Sequence, residues 1–102
     1  MNFPEIRTAA NEIAALGKPK KIYLISHKSN HQTGALRSFK LALIVGDDTA
    51  NVSELECFLY TAVDCECPYD LVVYKETEWK TLSEDSRTFA WSIAQTGEVL
   101  YG

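Results

Sequence analysis

The 102-residue chain predicts a single α/β (α+β) domain, residues 1–102, in which a mixed β-sheet is packed by helices. Three observations carry that expectation. Amphipathic stretches with helical spacing alternate with short apolar runs in the order α-β-β-α-β-α-β, the pattern of a sheet covered by helices. Apolar residues make up 46% and charged residues 24%, as in an ordinary globular domain with a modest core. No repeat, linker or low-complexity segment interrupts a chain of one domain's length.

Each element has a local cause. Residues 3–16 carry Phe3, Ile6, Ala10, Ile13 and Ala14 at helical spacing, with Gly17 as the expected stop and Pro19 beyond it. Lys21–Ser26 has a continuous apolar centre, which predicts a strand buried on both faces. Residues 27–37 are polar and contain Gly34, so they read as a loop with one helical turn at most. Phe39–Val45 predicts a second strand, ended by Gly46 and the turn formers Asp47 and Asp48.

Asn51 then opens a second helix, since its side chain can cap and Glu54 follows three residues on. Its buried stripe is Val52, Leu55, Leu59, Ala62 and Val63, and Pro68 ends the segment. Tyr69–Lys75 is rich in β-formers and predicts a third strand. Residues 76–82 predict a short helical turn. Residues 86–95 predict a last helix with Phe89, Ala90, Ile93 and Ala94 inward, and Glu98–Tyr101 a short terminal strand.

The net charge of -4 argues against a protein that coats nucleic acid. No apolar stretch is long enough to cross a bilayer. Glu5 and Arg7 occupy the place where a secretory signal would be basic and then apolar. With three cysteines and no visible export signal, the expected setting is reducing and cytoplasmic, with no membrane contact. The mean charge hides a strong asymmetry. Lys18, Lys20, Lys21, Lys28, Arg37 and Lys40 lie in a stretch without any acid, whereas residues 41–102 hold three basic and twelve acidic residues.

Four fragments in this order are specific when taken together: KIYLISHKSN (21–30), FKLALIVGDD (39–48), PYDLVVYKETEW (68–79) and AQTGEVLYG (94–102). Together they resemble the minimal nucleotidyltransferase domain of the DNA polymerase β superfamily, over essentially the whole chain. The resemblance implies a nucleotidyltransferase-like sheet, a Gly-Ser loop after the first strand that cradles a triphosphate, and three Asp that hold divalent metal. In-line transfer needs that metal to neutralise charge on the attacking and leaving oxygens.

The chain departs from this pattern at the critical places. Ser26 and His27 stand where Gly-Ser is expected, or Ile25 and Ser26 if the register slips by one. Ser38 and Lys40 stand at the first two Asp positions, and Asp70 matches the third. A protonated Lys40 cannot ligate metal and repels a cation. The expectation is a vestigial site of Ser38, Lys40 and Asp70, with Lys40 in an ion pair to Asp70 in place of metal.

The expected function is therefore a catalytically degenerate binding or regulatory module with no cofactor. Ser26, His27, Lys28, Ser29, Asn30 and Arg37 are candidates for weak nucleotide or phosphate binding. The resemblance also implies a protein partner of the HEPN type found in toxin–antitoxin pairs, or a homo-oligomer. The alternative is an active nucleotidyltransferase, or another phosphate-handling enzyme, with a rebuilt site that uses Mg²⁺ and nucleotide.

Other constellations weigh less. His27, His31, Cys65 and Cys67 offer zinc-type donors, but a C-x-C pair far from the histidines is a weak signal. Cys57, Cys65 and Cys67 lack a nucleophile signature, and Cys57 is expected to pack or lie partly buried. Asp47–Asp48 reads as a solvated turn before a helix N-terminus. Trp91 is off the inward stripe of the last helix and is expected to pack on the final strand rather than to stand exposed.

Overall fold

A computed structural model describes residues 3–102. The elements run α1 Pro4–Gly17, β1 Lys21–Ser29, β2 Leu36–Val45, α2 Val52–Ala62, β3 Tyr69–Lys75, α3 Glu76–Ser83, α4 Phe89–Thr96 and β4 Glu98–Tyr101. The sheet order is β3-β2-β1-β4. β1 pairs antiparallel with β2 and with β4, and β2 pairs parallel with β3, so the sheet is mixed.

Two helical layers cover the sheet. Ile6, Ala9, Ala10 and Ile13 of α1 and Leu59 of α2 pack with Ile22, Leu24, Leu41, Leu43 and Val45 in the larger core. Ile93 of α4 and Trp79 of α3 pack with Tyr23, Ala42 and Ile44 on the opposite face. The continuous apolar runs of β1 and β2 follow from this, because successive side chains feed two different cores.

Local details differ from the sequence expectations for identifiable reasons. Pro4 starts α1, where its missing N–H costs nothing. The helix ends at Gly17, as expected, but the left-handed cap falls on the next residue. Lys18 takes the left-handed conformation (φ 48°), and its N–H reaches the Ala14 carbonyl at 3.2 Å. Gly17 lies against α2, where a Cβ would stand in van der Waals contact, 3.4 Å from the Leu59 methyls. Asn51 caps α2 as expected, accepting from Glu54 N at 3.1 Å. In α2 the buried contact narrows to Leu59, followed by Val63, while Ala62 and Cys57 are exposed.

Residues 27–29 and 36–38 form strands rather than a loop. They extend β1 and β2 as a two-stranded ribbon beyond the helices, where no apolar alternation is required. Asn30 closes it: its side-chain oxygen accepts from Gln32 N at 2.8 Å and Thr33 N at 3.0 Å. Gly34 turns the chain at φ 76°.

The last helix begins at Phe89, where Thr88 Oγ1 accepts from Trp91 N at 3.1 Å. Phe89 sits in its first turn and is half exposed rather than inward. Trp91 is half-buried.

Both sheet edges are occupied by side chains. On β3, Leu71 N donates to the Tyr60 hydroxyl at 2.6 Å. On β4, Arg7 Nη1 donates to the Leu100 carbonyl at 2.7 Å. No helix among the described residues is long and apolar enough to cross a membrane.

Candidate functional site

The geometry of the candidate site begins with an irregularity in β1. Leu24 pairs with Leu41 but Ser26 pairs with Lys40, so Ile25 is an extra residue, a β-bulge. Strict alternation from Tyr23 would send Ser26 and Lys28 to the α1 face. The bulge sends them to the other face, because Ser26 lies opposite Lys40 and Lys28 opposite Ser38. In the parallel ladder Lys40 lies opposite Asp70. Residues directly opposite on neighbouring strands share a face. Ser26, Lys28, Ser38, Lys40 and Asp70 therefore stand on one face, past the part covered by α3 and α4.

There they line a small cleft of about 140 Å³, together with His27 and Phe39. Ser38 and Lys40 are half-buried, while Ser26, Lys28 and Asp70 are open to water. The charged groups are two ammoniums and one carboxylate. Two serine hydroxyls add rotatable donors. Such a set has the chemistry to receive an anion, with lysine acting as a point charge.

The expected ion pair between Lys40 and Asp70 is not made as a direct contact. Their strands place them side by side, yet the salt bridge between described residues joins Arg87 to Asp85, at 2.9 Å. Asp70 is exposed on an edge strand, where hydration matches what an ion pair would gain.

The remaining anion candidates turn their side chains elsewhere, including His27, which borders the cleft. His27 points to the α1 face, its ring 5.0 Å from that of Phe3 in an edge contact. Ser29 pairs with Leu36 at the end of the ribbon, on the side away from Lys28. Asn30 spends its side chain on the turn. Arg37 is bulged out of β2 and lines a separate cleft with Glu5 and Glu66. The Gly-Ser loop implied by the resemblance has no counterpart, because β1 continues through Ser29.

Mg²⁺ needs several hard oxygen ligands. One carboxylate beside an ammonium does not fit it. Among the described residues no group of three or more His, Cys, Asp or Glu is arranged to hold a metal. His31 lies in the exposed turn, and Cys65 and Cys67 pack against the α1–α2 core. Burial pushes the Cys67 thiol above its ordinary pKa, helped by the nearby Cys65 and Glu5. That shift favours a quiescent thiol over a nucleophile.

Two placements escape a linear reading. Asp47 accepts from Thr77 N at 3.0 Å and from the Thr77 hydroxyl, so it caps α3 from a turn thirty residues upstream. These hydrogen bonds hold its carboxyl below the ordinary range. Ser26 and Lys28 reach the cleft only through the bulge, which no residue pattern in β1 announces. Compared with family models, curated proteins and solved structures, the chain finds no match.

Proposed function

We propose that this chain is a degenerate nucleotidyltransferase-like module that binds an anionic, phosphate-bearing ligand without metal and without transferring a nucleotide. One observation carries the reading: Lys28 and Lys40 stand with Ser26 and Ser38 around a single carboxylate, Asp70, in one open cleft. The ammonium of Lys40 supplies the positive charge that a metal would otherwise bring to phosphate oxygens. The sequence resemblance adds a regulatory role beside a HEPN-type protein partner, as in a toxin–antitoxin pair.

Calorimetry with ATP and with pyrophosphate, in EDTA and in Mg²⁺, tests the reading. Binding is expected in EDTA, and Lys40→Ala should weaken it about tenfold, the equivalent of about 1.4 kcal/mol for a lost charge-assisted contact. Mg²⁺-dependent AMP transfer to protein that vanishes in Asp70→Ala would overturn it in favour of an enzyme built on Asp70.

A further inference from the structure

The outer face of α1 and α2 carries a second feature, on the opposite side of the sheet from the Lys28–Lys40 cleft and independent of the function proposed above. The two helices pack side by side and antiparallel. Leu55 and Leu59 of α2 meet Gly17 at the end of α1, and Glu12 of α1 accepts from Asp64 N, just past α2, at 3.1 Å. Tyr60 marks the flank of α2 that turns to the sheet edge, since its hydroxyl meets β3. Phe58 lies about 160° around the helix from Tyr60, at 100° per residue, and so on the flank toward α1. Leu16 precedes Gly17 on the facing helix.

These two side chains are the exposed large apolar groups of the seam, Phe58 at 48% and Leu16 at 43%. Each has an acid one turn before it, Glu54 before Phe58 and Glu12 before Leu16. Neither helix has a basic residue in its last turn; the exposed Lys18 follows α1 directly, and the carboxylates of the seam outnumber it. At the far end of the seam a cleft of about 310 Å³ is rimmed by Glu5, Asp64 and Glu66 over a wall that includes Pro4 and Cys65. An apolar wall under a carboxylate rim suits the long stem and charged head of Lys or Arg.

From this arrangement we infer that the α1–α2 seam docks a basic amphipathic segment of a partner protein. The partner's apolar side chain would cover Phe58 and Leu16, and its Lys or Arg would meet Glu54, Glu12 and the acidic rim. Charge complementarity selects this occupant over a twofold-related second copy, which would bring the same carboxylates against themselves.

The test uses a fluorescein-labelled helical peptide of Leu and Lys at amphipathic spacing, read by anisotropy at physiological salt. Controls replace its Leu by Ser, or its Lys by Glu. The Leu/Lys peptide is expected to bind, with Phe58→Ser weakening it about tenfold and Glu54→Lys several-fold, as for a central anchor and a rim charge. Lys40→Ala, in the other cleft, should leave it unchanged. Phe58 is half exposed, so its replacement should leave the fold intact; Leu16→Ser is a second variant with the same expected direction. Equal binding of the Ser/Lys peptide, indifference to both Phe58→Ser and Leu16→Ser, or no binding would overturn the proposal. So would a dimer in sedimentation that Phe58→Ser abolishes, because the seam would then belong to a second copy.

Discussion

Replacing Tyr60 with Phe removes one oxygen and leaves the ring in its tilted contact with Tyr69, 5.4 Å away between centroids. That oxygen accepts from Leu71 N at 2.6 Å, on the edge strand of the sheet. The amide faces away from β2, so no backbone group replaces the lost acceptor. A hydrogen bond of this kind is worth about 1 kcal/mol net, and a fully buried orphan donor would cost about 1–3 kcal/mol. Tyr60 is 44% exposed, so water reaches the vacated position and the lower figure applies. The expected loss is about 1 kcal/mol, which lowers the melting temperature of a domain this size by about 4–8 °C. Urea denaturation with an unchanged m-value is the assay. A midpoint shift equivalent to less than about 0.3 kcal/mol would refute the reasoning, because the hydroxyl would then contribute nothing beyond hydration. The same variant frees a donor on a strand edge and should raise concentration-dependent association, seen by light scattering.

Other perturbations follow the same logic. Leu59→Ala empties the centre of the larger core beside Gly17 and should cost about 2–5 kcal/mol in chemical denaturation. Asn51→Ala removes the acceptor for Glu54 N and should cost about 1 kcal/mol, with Asn51→Ser largely restoring it. Asp47 ionises below its ordinary range because Thr77 hydrogen-bonds the carboxylate. The stability it contributes is present above the unfolded carboxyl pKa of about 4 and is lost as pH falls through the lower folded value. Asp47→Asn should therefore flatten the acid limb of the stability–pH curve and leave the alkaline limb in place. That alkaline limb reflects Tyr60, Tyr69 and Tyr74, whose pKa values are raised chiefly by burial. Their share of stability is full below about pH 10 and falls as pH rises through the folded values, which a pH-jump fluorescence titration would follow.

Much of the fold was legible because burial imposes periodicity. Ile6, Ala10 and Ile13 recur at the helical interval since α1 rests one face on the sheet, and Asn51 with Glu54 marks the start of α2 by local hydrogen bonding. The ribbon at residues 27–29 and 36–38 was not legible, because a strand pair beyond the helices buries little and so leaves no alternation. Phe89 looked inward by spacing, but the buried stripe of α4 runs through Ala90 and Ile93 and leaves Phe89 half exposed.

In the candidate site, the neighbouring of Lys40 and Asp70 could be anticipated from strand alignment. The convergence of Lys28 with them could not, because it depends on one residue that breaks the strand's own alternation. The separation of Arg37 has the same origin, a second irregularity in the partner strand. Contacts such as Arg7 with Leu100, ninety-three residues apart, leave no trace in any local window.

The bulge at Ile25 also changes what a length change in this strand would do. Loss of one residue ordinarily inverts every side chain beyond it, exchanging core for solvent. Loss of Ile25 would instead make the ladder regular, with Ser26 following Leu24 and still opposite Lys40. Ser26 and Lys28 would keep their orientation, and the deletion would subtract only a half-buried apolar contact from the smaller core. The joint thus separates two kinds of selection along one strand. Its first half answers to packing and its second to the proposed ligand, and a chain one residue shorter at that joint could drift in the one while holding the other.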